Sequence, residues 1–266
     1  MRRRALALFV LPLALAACGS GGMSNTEAPK LTPLGSVKSA ATKTAKAKSQ
    51  HITLKGSSTA AGTLIEVSGS GDFDNTKKLG SVHAEFSAAG LSGTIDEVMN
   101  GTTIYIKSPL FSAALPKGKT WMKLDLQKFG TSKGIDFSAL LSQDPATSLA
   151  QLQASGDVTE VGDETIDGAE TTHYRAHIDP AKLPQAAQRQ ALAHARYGPL
   201  DIWVGKDDGY VRRVHTTYST KTGASARQAV TLTMDFSDFD KEVSVSIPPE
   251  SETLDATDKA IMGLGG

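Results

Sequence analysis

Between about Thr53 and Leu126, apolar and polar residues alternate. Ile65, Val67 and Phe73 share one parity, with Glu66, Ser68 and Asp72 on the other. Val82, Ala84, Phe86 and Ala88 alternate with His83, Glu85 and Ser87. Ile104 and Ile106 interleave with Thr103, Tyr105 and Lys107, and Met122, Leu124 and Leu126 with Trp121, Lys123 and Asp125. A period of two with one apolar parity is the pattern of half-buried antiparallel strands. Asp74-Asn75-Thr76-Lys77, Asn100-Gly101 and Lys117-Gly118 supply turn chemistry between them.

The rhythm breaks three times. From Thr32 to Gln50, Leu34, Val37, Ala41 and Ala45 recur at roughly helical spacing beside Lys38, Lys43, Lys46 and Lys48, predicting an amphipathic helix with a solvated basic face. From Asp136 to Gln153, Phe137, Leu140, Leu141, Leu149 and Leu152 flank Asp144-Pro145, predicting two short helices. A third helix is predicted from about Pro180 to Arg196. Strands occupy the rest. Asp157–Ile166 and Ala169–Ile178 flank Asp167-Gly168, and Leu200, Ile202 and Val204 lead into the turn Asp207-Asp208-Gly209. Val211–Tyr218 returns, and Val230, Leu232, Met234 and Phe236 make a last clean alternation.

These elements predict an α+β domain: a single curved antiparallel sheet of about ten or eleven strands, its apolar face covered by helices. Ile65, Val67, Val82, Ala84, Phe86, Ile104, Ile106 and Leu124 should face inward. So should Val204, Val230, Leu232 and Met234. Phe137, Leu140, Leu141 and Leu149 from the helical insert should meet that face, with Leu152 beside them. Ala84 and Ala88 are small and leave room, which either a ligand or the covering helices can fill.

The N-terminus adds a compartment. Arg2, Arg3 and Arg4 precede an apolar run from Ala5 to Leu15, which ends in Leu15-Ala16-Ala17-Cys18. The run is short for a membrane span, which needs about 20 apolar residues, and the pattern is that of a lipoprotein export signal. It predicts residues 1–17 as signal peptide and Cys18 as the lipidated first residue of the mature chain, inserted in the outer face of the cell membrane. Residues 18–31 read as anchor and tether, 32–250 as the folded domain and 251–266 as a loosely ordered tail.

Net charge is zero over the whole chain, but the three arginines of the signal leave 25 Lys+Arg against 28 Asp+Glu. That composition offers no basic surface for nucleic acid. Cys18 is the sole cysteine, so no disulfide or thiolate metal site is expected. His173 and His177 fall on the polar parity of a strand and read as solvated rather than as metal ligands. Asp207-Asp208-Gly209 lacks the later ligands of a calcium loop, and Arg212-Arg213 reads as solvated. No nucleophile elbow or phosphate-cradling loop is present. No catalytic residue, metal or cofactor is assigned.

The lipid-signal cysteine, the tether, the Lys/Ala-rich first helix and the long β-meander come in a telling order. With them go the phrases Thr103-Ile104-Tyr105-Ile106-Lys107, Trp121-Met122-Lys123-Leu124-Asp125-Leu126, Leu200-Asp201-Ile202-Trp203-Val204 and Gly209-Tyr210-Val211-Arg212-Arg213-Val214. Together these resemble the actinobacterial LppX/LprAFG lipoprotein family, whose fold is similar to the LolA lipoprotein carriers. The resemblance implies a half-barrel with an apolar cavity between sheet and helices, holding acyl chains of a lipid or glycolipid. It also implies traffic with a membrane transporter, and no catalytic motif. The alternative is an envelope sensor or regulator that uses the same fold to bind a protein partner.

Overall fold

A computed structural model describes residues 31–60, 62–133, 155–178, 195–222 and 226–263. In chain order the elements are α1 (Pro33–Ala45), β1 (Ser49–Ala60), β2 (Thr63–Asp74), β3 (Leu79–Ala88), β4 (Leu91–Asn100), β5 (Thr103–Lys107), β6 (Trp121–Asp125) and α2 (Leu126–Lys133). There follow β7 (Ser155–Ile166), β8 (Ala169–Ile178), β9 (Ala195–Gly205), β10 (Val211–Thr222), β11 (Ala226–Ser237), β12 (Thr253–Asp255) and α3 (Thr257–Gly263).

All twelve strands join one open, curled sheet in the order β12-β6-β5-β4-β3-β2-β1-β11-β10-β9-β8-β7. It consists of two meanders, β1 to β6 and β7 to β11, joined where β1 pairs antiparallel with β11. Only β12 runs parallel to its neighbour, β6. The hairpins follow their turn residues. Asp167 and Gly168 both take positive φ, +48° and +83°, as a two-residue turn matched to strand twist requires.

Helix α1 is capped by Thr32, whose Oγ1 accepts from the Gly35 N–H at 3.1 Å. It covers the whole of the spacing from Leu34 to Ala45 but not the rest of the predicted segment to Gln50. It stops at Ala45 because the chain must be extended by Ser49, where β1 begins to pair with β2. Its buried residues are Val37 and Ala40, packed in one cluster with Tyr174, Ile202, Val204 and Val211 of β8 to β10. The Val211 N–H donates to Thr44 Oγ1 at 2.8 Å and fixes the end of the helix to the start of β10.

Three predicted boundaries move. Leu126 belongs to α2 rather than to a strand, because the Asp125 carboxylate accepts the Lys128 N–H at 3.0 Å and turns the chain into a helix. Ala195 and Arg196 open strand β9 rather than closing a helix. The segment after Glu250, which reads as loose in sequence, holds β12 and α3. The Asp125 N–H donates to the buried Thr257 Oγ1 at 3.0 Å, and Lys128 pairs with Asp258 at 2.8 Å. The helical insert with Phe137, Leu140, Leu141, Leu149 and Leu152, and most of the helix predicted after Pro180, lie outside the described residues.

Candidate functional site: the inner face of the sheet

Residues directly opposite one another in a ladder share a face. The register therefore draws rows across the sheet. One runs Tyr174, Ile202, Val214, Met234, Leu54, Gly69, Ala84, Ile95 from β8 to β4. The next runs Ala176, Leu200, Thr216, Leu232, Gly56, Val67, Phe86, Gly93. A third, from β11 to β6, runs Phe236, Ile52, Gly71, Val82, Glu97, Ile106, Met122. Ile104 and Leu124 continue a row with Met99, Gly80 and Phe73, and Val230 one with Ser58, Ile65, Ala88 and Leu91. These rows form the inner face, the side on which α1 packs.

The inward-parity residues of the described strands thus share one face, but that face is not uniform. Val204 lies under α1 in the filled core. Over β1 to β4 the side chains shrink to Gly56, Gly69, Gly71, Gly80, Gly93 and Ala84. The spacing is tight at these glycines. A Cβ on Gly69 would fall 2.5 Å from the His83 carbonyl oxygen, and one on Gly71 would strike the Ser81 carbonyl. A Cβ on Gly93 would sit 2.9 Å from the Phe86 ring, and one on Gly80 would collide with the Phe73 ring. Both phenylalanines therefore lie flat across glycines instead of standing into the interior. The result is an apolar wall with low relief.

One group on this wall is not apolar. Glu97 stands between Val82 and Ile106, with no hydrogen bond or ion pair shown to it among the described residues. Burial raises its carboxyl above the ordinary 4.5. Neither the glycines nor Glu97 emerge when alternation is scored by apolar residues alone. Glycine repeating at apolar parity, and an acid at that parity in β4, are the signals that would have found them.

The opposite face is polar. His51 contacts Asp72 at 2.7 Å and His83 contacts Asp96 at 2.6 Å. On β8 and β9 three polar residues, Thr171, His173 and Asp201, are buried. His173, predicted to be solvated, is only 5% exposed. Its Nδ1 lies 3.0 Å from Glu164 and its Nε2 2.8 Å from Asp201, and its ring stacks on Trp203 with centroids 4.2 Å apart. Its parity is the polar one, as predicted, but the Trp203 ring covers it. Arg175 Nε donates to Asp201 at 2.7 Å, and Trp203 Nε1 to Glu164 at 3.0 Å. Burial works against the Asp201 charge, but the bonds from Arg175 and His173 outweigh it and hold the carboxyl below its usual range. A groove of about 690 Å³ also opens on this face, walled by Lys55, Glu66, Glu85 and the hydroxyls of Ser68, Ser87, Ser92 and Thr94. Its lining also takes in Gly56, Val67, Phe86 and Gly93 of the wall, so the groove and the wall share the same stretch of β1 to β4. Among the described residues no three histidine, cysteine or carboxylate side chains form a metal site.

The described residues thus form an open, curled antiparallel sheet with an apolar inner face and a first helix packed along part of it. The chain belongs to the LppX_LprAFG lipoprotein family, whose model matches residues 32–245. It is 27% identical over 251 residues to the lipoarabinomannan carrier protein LprG of Mycolicibacterium smegmatis, covering 91% of this chain and 94% of that one. It is 29% identical over 170 residues to an uncharacterized 31.2 kDa protein of Streptomyces griseus. That match covers 58% of this chain and 53% of the other, so the chain spans about half the length of that relative. Among solved structures, LprF of Mycobacterium bovis aligns with a TM-score of 0.49 and 14% identity, over 81% of this chain and 96% of that one. LppX of Mycobacterium tuberculosis aligns with 0.46 and 16%, over 80% and 98%.

Proposed function

We propose that the wall over β1 to β4 receives the acyl chains of a lipid or glycolipid, and that the protein carries or presents this ligand in the cell envelope. In this reading Cys18 anchors it to the outer face of the membrane, with no chemistry of its own. The observation that carries the reading is the fall in side-chain size along single rows, from Tyr174, Ile202 and Met234 to Gly69 and Ala84. A sheet face built only as core keeps its bulk across the row. This one loses bulk at Gly56, Gly69, Gly71, Ala84 and Gly93 and, Glu97 aside, stays apolar. LprG, a relative of nearly equal extent, is named as a carrier of lipoarabinomannan.

Partition is sufficient as a mechanism. Each CH₂ moved from water to an apolar wall gains about 0.8 kcal/mol. The same CH₂ moved from a bilayer gains almost nothing, so loading and unloading stay reversible and a membrane transporter can set the direction.

The test is Ala84→Trp, with binding of a fluorescent fatty acyl probe and thermal stability measured on the same samples. Ala84 is 6% exposed between Gly69 and Ile95, so an indole there must project over the wall. Probe binding is expected to fall at least tenfold while stability falls by the ordinary cost of overpacking, about 1–3 kcal/mol. If the wild-type protein binds no acyl probe, the carrier reading is wrong and a protein-binding envelope regulator takes its place. The anchor is tested separately. Cys18→Ser is expected to move the protein out of the membrane fraction, and unchanged fractionation would remove the anchor from the proposal.

A further inference from the structure

The loops at the two ends of the sheet differ. At one end lie the β2–β3 connection with Asp74, Lys77 and Lys78, the β9–β10 turn with Lys206, Asp207 and Asp208, and the segment after β11 with Asp238, Asp240 and Lys241. At the other end lie the β1–β2 turn, the β3–β4 turn and the connection from β5 to β6, with Glu250 and Glu252 beside the last of them and Lys221 and Arg227 at the ends of β10 and β11. Residues 57–65, 86–95 and 108–116, which make up these three tips, contain no charged side chain. They do contain exposed apolar ones: Leu64 at 52%, Ile65 at 38%, Leu91 at 54% and Leu110 at 48% exposure. Four of the eight exposed large apolar side chains among the described residues thus lie on these three tips.

We infer that this uncharged rim of hairpin tips docks on a lipid bilayer. Scattered exposed leucines need no explanation, but apolar side chains gathered on adjacent tips mark an interaction surface. The tips themselves select the occupant. The third is flanked by both signs of charge, Lys117 and Lys119 with Glu250 and Glu252; Lys119 Nζ donates to the Glu250 carbonyl at 2.9 Å and Thr120 Oγ1 to the Glu252 carboxylate at 3.3 Å. Uncharged apolar tips with charges of both signs behind them fit the boundary between headgroups and acyl chains of a bilayer. The chain ahead of the fold permits this pose. Twelve residues separate Cys18 from Leu31, and these thirteen steps can span up to about 44 Å, so a chain anchored at Cys18 can still set its rim on the same bilayer. The inner-face row that ends the wall, Ser58–Ile65–Ala88–Leu91, is part of the rim. A docked rim therefore makes the apolar wall continuous with the hydrocarbon. The inference goes beyond the carrier reading, since the rim can meet a bilayer whatever the wall binds.

The test uses the full chain with Cys18→Ala throughout, so that single cysteines can be labelled with an environment-sensitive fluorophore. Labels at Leu91→Cys and Leu110→Cys report the rim; labels at Lys77→Cys and Asp207→Cys report the charged end. Vesicles of phosphatidylcholine and phosphatidylglycerol at 3:1 carry a headgroup nitroxide quencher. Quenching of the rim labels is expected to exceed that of the charged-end labels at least threefold. Adding Leu64→Asp and replacing the unlabelled rim leucine by Asp should abolish the difference. Both sites are exposed, so the fold should tolerate them, and an unchanged melting temperature checks this. Equal quenching at the two ends overturns the inference, as does a difference that survives the Asp substitutions. Rim labels already shielded in the absence of vesicles, with a dimer in sedimentation, would assign the rim to a second copy instead. Acyl-probe binding measured without vesicles reads the wall alone, so either idea can fail while the other stands.

Discussion

The same rows of residues build a dense core at one side of the sheet and a low wall at the other. Over β8 to β10, Tyr174, Ile202 and Val204 are buried against Val37 and Ala40 of α1. Over β2 to β4 the same parity sets Gly69, Gly71, Ala84 and Gly93 among larger residues such as Val67, Val82 and Ile95, with two phenylalanine rings laid flat. The outer face repeats the contrast. The Asp201 side chain is 8% exposed within the network of His173 and Arg175, whereas Asp72 and Asp96 hold their histidines near solvent at 52% and 36%. Stability and capacity are thus separated along one sheet. A substitution should therefore act on one or the other according to the strand that carries it.

The largest expected effect falls on the dense side. Asp201→Ala leaves His173 and Arg175 facing an empty position, and breaking a buried pair this way costs about 3–5 kcal/mol. Chemical denaturation measures it. The same carboxyl gives the pH sign. Its folded value lies below the ordinary 3.8, so its contribution is full above that value and is lost as pH falls through the folded one. Acid unfolding of the wild type should show this loss, and Asp201→Ala should not.

Next comes Ile202→Ala, which empties space under α1 and should cost about 2–5 kcal/mol with little change in acyl-probe affinity. Val67→Ala, on the wall, should cost clearly less in the same denaturation assay. Equal costs would mean that the wall is packed as tightly as the core and would collapse the comparison.

A smaller effect is expected for Gly93→Ala. The added methyl lifts the Phe86 ring off the wall, so stability should fall by about 1 kcal/mol while probe binding weakens severalfold. The smallest is Glu97→Gln. Because burial raises this carboxyl, the folded chain holds its proton more tightly than the unfolded one. Stability therefore falls as pH rises from 4.5 through the raised value, and the ionised group is a net cost at neutral pH. Removing the charge should raise Tm at pH 7 by about 2–4 °C, the equivalent of about 1 kcal/mol in a domain of this size, and should flatten that pH dependence.

Alternation made the sheet legible wherever the apolar parity carries large residues, as in Val230, Leu232 and Met234. It was silent on β4, whose inward residues include Gly93 and Glu97, because a wall made to be low has little hydrophobic signal. Twelve strands form rather than ten or eleven, and Thr253–Asp255, three residues long, is too short for any period to show. His173 read as solvated because parity reveals the face of a side chain but not the neighbour stacked over it, here Trp203. The helix from near Thr32 was readable from the spacing of Leu34, Val37, Ala41 and Ala45. The helix end was not, because it is set by the long-range pairing of Ser49 with Asp74.

The pairing of β1 with β11 has a consequence for how the chain reaches this state. The two partners, His51 and Ser237 among them, are separated by nearly the whole domain in sequence, whereas most other neighbours in the sheet are joined by turns. Each meander can therefore form from local contacts while the seam between them waits for both, and such distant closures are the slow events of folding. Until Ala226–Ser237 is in place, β1 presents a bare edge of up to twelve residues to any strand nearby. Pulsed hydrogen exchange during refolding should find the β1–β11 amides protected last, and this interval is when the bare edge leaves the chain most open to aggregation.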